Sequence, residues 1–147
     1  MAHYTERLSQ SLAVIATIDP ASHSTAQNSD GIDMRLFRRV IFILNAGAIG
    51  ANTITAIVTG GNDNSTFATT LTGKTFASGT FSGSVDNNTQ GIIEVTAEEC
   101  AAQDVRYIRM EATPSGAAIF GVVALAGVAR YEPSSDYDLA SVAEIVA

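Results

Sequence analysis

Residues 91–131 read GIIEVTAEECAAQDVRYIRMEATPSGAAIFGVVALAGVARY, and their alternation decides the fold class. Ile93 and Val95 alternate with Glu94 and Thr96, the period-two pattern of a half-buried strand. The AEECAAQ that follows is made of helix formers with its acids early, where the helix dipole favours them. It predicts a short helical turn. Alternation then resumes, with Ile108, Met110 and Ala112 on one face and Tyr107, Arg109 and Glu111 on the other. Pro114-Ser115-Gly116 signals a turn. Residues 119–128 are apolar on both faces, so they predict a strand covered on both sides, by the core on one and by a neighbouring element or subunit on the other. Val123 and Leu125 are assigned to the core face.

Working outward, residues 40–44 are a continuous run of β-branched, aromatic and aliphatic residues, short enough for a buried strand. Ile54, Ala56 and Val58 point inward from the next strand, with Thr53, Thr55 and Thr59 outward. The NAGAIGAN between these two strands reads as a Gly-rich hairpin turn. Towards the N-terminus, Leu12, Val14, Ala16 and Ile18 share a face of a first strand that ends at Asp19-Pro20. Residues 65–90 are rich in Thr, Ser and Gly and hold one or two short edge strands. Pro133 ends the sheet, because it lacks the donor that a ladder needs. The expectation is an all-β antiparallel β-sandwich, jelly-roll or immunoglobulin-like, with one short helical turn. Residues 1–11 form an N-terminal arm, 12–133 the sandwich and 134–147 a C-terminal arm.

The chain has 147 residues, enough for one domain. Charged residues are only 16% against 46% hydrophobic, below the usual share of about 25% charged. Thr, Ser, Asn and Gly supply the remaining polarity, and suit turns, exposed sheet faces and subunit contacts. A net charge of −7 argues against a phosphate-binding groove, so nucleic acid is not expected as a partner. The single cysteine, Cys100, excludes an intrachain disulfide and a Cys-based zinc site. The N-terminus has no apolar signal core and no run reaches the length of a membrane span, so synthesis in a cytoplasm without membrane insertion is expected.

VIFILNAGAIGA is similar to a dinucleotide-binding turn, but Asn45 stands where its first glycine belongs, and a β-branched strand pattern follows where a phosphate-binding helix is needed. His3 and His23 lie in polar segments and read as surface residues. Glu98 and Glu99, adjacent on a helical turn, diverge and read as solvated acids. Asp136, Asp138 and the Asn62-Asp63-Asn64 turn lack calcium-loop spacing. Cys100 reads as a small buried residue. Asn64-Ser65-Thr66 and Asn87-Asn88-Thr89 are chance glycosylation triplets. No catalytic, cofactor or metal residue is assigned. Arg35, Arg38 and Arg39 form the one dense basic cluster, either turn residues paired with nearby acids or a contact for an acidic neighbour.

Three segments carry a family resemblance: YTERLSQSLAVIATIDP, FRRVIFILNAGAIGA and ARYEPSSDYDLASVAEIVA. They resemble small structural proteins of tailed-bacteriophage heads, whose role is similar to that of capsid decoration, or cement, proteins. The resemblance implies a β-rich, non-enzymatic virion protein on the capsid surface, often trimeric, with the major capsid protein as partner and no cofactor. A neck, tail or head-fibre protein is the alternative within that class. A carbohydrate-binding or enzymatic sandwich lies outside it, and the absence of Trp weighs against the former. The apolar arms supply further candidate contacts. Leu139, Val142, Ile145 and Val146 would form one stripe on a helix, with Tyr137 beside it. A helix this short needs a partner, expected in a neighbouring subunit, with Leu8 and Leu12 contributing part of the surface.

Overall fold

The computed structural model describes residues 7–77, 80–83 and 85–146. His3 and most of the expected N-terminal arm lie outside them. The described strands are β1 (Leu12–His23), β2 (Gln27–Asn28), β3 (Ile32–Asp33), β4 (Phe37–Ala46), β5 (Thr53–Gly61), β6 (Thr69–Thr75), β7 (Phe81–Ser82), β8 (Gln90–Thr96), β9 (Tyr107–Pro114) and β10 (Ala118–Ala129). Short helices α1 (Leu8–Ser11) and α2 (Ala97–Ala102) and a 3-10 helix (Ser134–Tyr137) accompany them.

The first sheet has the order β1-β10-β4-β8. The second has the order β2-β9-β5-β6, with β3 also on β9 and β7 on β5. All pairings are antiparallel. β1 pairs with β10, β2 and β3 with β9, β4 with β8, and β5 with β6. The chain is thus a long hairpin, wound so that β10 also meets β4 and β9 also meets β5. Of the two sandwich types left open by the sequence, this winding is the jelly roll.

The core lies between the sheets. Val40, Phe42 and Leu44 from β4 meet Ile54, Ala56 and Val58 from β5 and Ile108, Met110 and Ala112 from β9, all buried. Ile93 and Val95 join from β8, as their alternation requires. The helical turn also forms. Thr96 caps α2 by accepting from the Glu99 amide at 3.3 Å, while the Glu99 carboxylate accepts from the Thr96 amide at 2.9 Å.

Several local expectations are corrected. Val123 and Leu125 are not core residues; Phe120, Val122, Ala124 and Ala126 fill the core from β10 instead. Every position of this strand is apolar, so alternation carries no parity signal and only the register decides. In β1 a register shift between Val14 and Ala16 turns both Ile15 and Ala16 inward. Leu12 and Val14 therefore lie outside the core. A second shift between Ile18 and Ala21 carries the strand past Pro20 to His23. An edge strand tolerates that proline at a bulge. The NAGAIGAN segment joins β4 to β5, which belong to different sheets, so it is a corner and not a hairpin. Thr59 is buried, with its hydroxyl donating to Glu111 Oε1 at 3.1 Å.

The end of β5 depends on a glycine. A Cβ built on Gly61 would run into the Thr66 carbonyl, a backbone atom that cannot rotate away. The Gly61 carbonyl in turn accepts from the Arg106 amide at 3.0 Å. Gly61→Ala should therefore cost about 2–3 kcal/mol, as other overpacked sites do. Chemical denaturation would measure this as a lowered midpoint with unchanged slope.

Candidate functional site

The arginine cluster occupies one end of the sandwich. A turn after β3 carries Arg35, and β4 begins just beyond it, carrying Arg38 and Arg39. The chain returns here at the end of β10, where the Arg130 amide donates to the Leu36 carbonyl at 2.6 Å. Arg35, Arg38 and Arg130 thereby line one open cleft of about 350 Å³, floored by Met34, Phe37 and Ala97. Val128 sits in its wall with φ of 55°, a left-handed conformation that strains a β-branched residue.

The structure separates Arg39 from this group. Its guanidinium lies 3.8 Å from Glu94, while that of Arg38 lies 3.7 Å from Glu98. Both pairs are exposed, so each contributes little to stability. Among the described residues, no carboxylate forms an ion pair with Arg35 or Arg130. Sequence reading missed Arg130, which is far from the cluster along the chain and reaches it only through the β10–β4 pairing.

The C-terminal arm folds back on its own sandwich. No helix forms over residues 138–146, contrary to expectation. Asp138 Oδ1 accepts from the Val14 amide at 2.6 Å, and the Leu139 amide donates to the Val14 carbonyl at 2.8 Å. Two backbone groups on the outer edge of β1 thus gain partners, which competes with the local hydrogen bonds of a helix. Tyr137 packs edge-on against Phe37 at 5.2 Å between ring centroids. Leu8, Leu12, Leu125, Val142 and Ile145 line an apolar recess of about 280 Å³ between the two arms. Val146 is exposed. The expected meeting of Leu8 and Leu12 with the C-terminal residues thus occurs within one chain.

The other titratable groups serve the architecture. Burial acts to raise the Asp33 carboxyl. The Arg106 side chain, the Arg35 amide and both positive charges outweigh it and hold the carboxyl below its usual range. Arg106 reaches Asp33 through Nε at 3.1 Å and through its terminal nitrogen at 2.5 Å. Lys74, at 2.8 Å, and then the Thr96 amide hold Glu99 low. The Ser65 hydroxyl and amide and the Thr66 amide do the same for Asp63 inside its own turn. Burial pushes the Cys100 thiol up to about 11, which removes thiolate character. His23 is half-buried, with its ring 4.8 Å from that of Phe120 and Nε2 2.8 Å from the Asp19 carbonyl oxygen. Among the described residues, no group of three or more His, Cys, Asp or Glu is gathered as a metal site.

The Asp33–Arg106 pair ties the end of β3 to the residue just before β9, and its carboxyl titrates lower folded than unfolded. The unfolded chain therefore binds more protons between those two values, so stability rises with pH there. The contribution is present above the unfolded carboxylate value and lost as pH falls through the folded one. Asp33→Asn should cost about 1 kcal/mol at neutral pH, a figure discounted for partial exposure. The difference from wild type should shrink as pH falls below about 4. Denaturation midpoints across that range would check it.

No protein-family model matches the chain, and no curated protein does. Similar solved structures include that of infectious bursal disease virus Gt strain, with a TM-score of 0.43 and 13% identity. A structure of the Gx strain of the same virus has a TM-score of 0.43 and 11% identity. Each covers 84% of this chain, which spans 33% of the Gt-strain chain and 34% of the Gx-strain chain.

Proposed function

We propose that the chain is a non-enzymatic structural protein of a virus particle, of the tailed-bacteriophage kind that its sequence resembles. Its place is the outer surface of the capsid, where it acts as a decoration protein on the major capsid protein. The observation that carries this reading is the gathering of Arg35, Arg38 and Arg130 around one open cleft of a protein with net charge −7. Three planar donors without buried carboxylate partners suit a carboxylate-rich protein surface. DNA fits less well, because the remaining acidic surface would repel its phosphates at physiological salt. The perturbed carboxylates support the same reading, since Asp33, Asp63 and Glu99 are each engaged by groups that hold the fold.

The test is co-sedimentation of the purified protein with particles that lack it. Wild type should bind saturably, and more weakly at high salt. The triple change of Arg35, Arg38 and Arg130 to Glu should weaken binding about 100-fold or more while leaving the fold intact. Binding that ignores these substitutions would contradict the placement of the contact. Specific capture by a glycan surface, with none by particles, would move the protein to the carbohydrate-binding class. Recovery only with tails or necks would keep the virion role and change the location.

A further inference from the structure

Both strands that border the arginine cleft break their alternation at this end of the sandwich. In β10, Phe120, Val122, Ala124 and Ala126 point inward, so alternation assigns Val128 to the core as well. Instead Val128 is 51% exposed, and Ala129 takes the buried place. In β4, Val40, Phe42 and Leu44 point inward, which would bury Arg38 too, yet Arg38 is exposed and Phe37 is buried. The pairing of the two strands continues across the break, with Gly127 opposite Arg39 and Ala129 opposite Phe37. Val128 therefore stands opposite Arg38, and both line the cleft. The left-handed backbone at Val128 accompanies its turn outward. A residue with a branched Cβ adopts that conformation at a cost, and glycine does not. A glycine lies one residue away, at 127, but its φ is not left-handed, and a Cβ there would come within 3.2 Å of Leu12. The strained position thus holds a valine whose side chain lies outside the core.

We propose that Val128 is the apolar anchor of the arginine cleft, and that the protein segment received there carries an aliphatic side chain beside its carboxylates. The proposal rests on the capsid reading of the cleft and adds the chemistry of the bound segment. Strained backbone of this kind gathers at ligand clamps, where the contact it presents offsets its cost. Turning the chain alone would be served by glycine or asparagine. What valine adds over those two is an isopropyl group, stiff at χ1 and so presented with little rotamer freedom to lose. Around it, Arg35, Arg38 and Arg130 supply charge, while Met34, Phe37 and Ala97 make the floor. Tyr131, also exposed, extends the apolar surface beside Arg130, whose guanidinium lies 5.7 Å from its ring centroid. Arginine and tyrosine are the residues enriched among the strongest contacts of protein interfaces. A purely acidic segment would leave Val128 uncovered, and a purely apolar one would bury guanidinium groups without carboxylates.

Val128→Gly and Val128→Asn test it, because both replacements accept left-handed backbone. Each should melt about 2–4 °C above wild type as the strain is relieved. In co-sedimentation with particles that lack the protein, each should bind about 10-fold more weakly than wild type. Val128→Ile, which keeps both the branch and the apolar contact, should bind and melt as wild type does. Val85→Asn, at an exposed valine in the loop between β7 and β8, should leave binding unchanged. A valine with only a structural role would lose stability on replacement, and its folded variants would bind normally. Unchanged binding by the Gly and Asn variants, or a fall in their melting temperatures, therefore overturns the anchor role and leaves the capsid reading standing. So does weakening that Val128→Ile or Val85→Asn shares. A wild type that does not sediment with particles overturns the capsid reading, and the anchor with it.

Discussion

Val122→Asp is expected to leave no folded protein, whereas Val123→Asp, one residue further along, is expected to fold. β10 lies between β1 and β4 at the centre of the first sheet. Val122 is 1% exposed there, paired with Ile18 on one side and Leu44 on the other. Both neighbours are buried and apolar, so a carboxylate at this position has neither water nor a donor side chain. Leaving a charge unpaired in such a place costs several kcal/mol, on the order of the whole stability of a domain. Val123 points the other way, and an aspartate there reaches solvent at a cost of about 1 kcal/mol or less. Soluble yield and near-ultraviolet circular dichroism of the two variants would check this, and the reverse ranking would mean that β10 is out by one residue.

Removal of residues 138–147 is expected to lower the melting temperature by about 10 °C while the sandwich still folds. The segment supplies the Asp138 carboxylate to the Val14 amide, and the Leu139 amide to the Val14 carbonyl. A hydrogen bond to a charged group contributes about 1.5–3 kcal/mol and a neutral one about 1. Val142 and Ile145 add apolar cover over Leu8, Leu12 and Leu125. Against these stands the entropy of ordering the segment, so about 3 kcal/mol net is a reasonable expectation. For a domain of this size each kcal/mol shifts the midpoint by about 2–4 °C. Asp138→Ala alone should account for about half of the loss. A truncated protein that melts with wild type would mean that the arm does not hold β1.

The parts of the fold that were legible in the sequence are those where polar and apolar residues alternate. In β5, β8 and β9 the inward residues can be named because their outward neighbours are Thr, Glu, Arg or Tyr. β10 gives no such contrast, and Val123 was consequently assigned to the wrong face. β1 failed for another reason. Its bulges shift the parity twice, and a bulge at Ile15 has no side-chain signature. The tail was read by helical spacing, but edge groups of β1 compete for it, and that competition depends on a strand 124 residues away. The arginine site was half legible. Arg35 and Arg38 were found because they are neighbours in sequence, and Arg130 was not because only the winding brings it there. Ile92 and Ile119 were visible as apolar residues, but their exposure depends on which face of the first sheet is covered by the second.

The central claim is that this jelly roll is an outer structural component of a virus particle, attached through its arginine-bearing end. Electron cryomicroscopy of particles assembled with and without the protein tests it most directly. The account predicts difference density at repeated positions outside the capsid lattice, with the Arg35, Arg38 and Arg130 cleft turned towards acidic side chains of the shell. Purified particles from which the protein is absent, or density in which that cleft faces solvent, would contradict it.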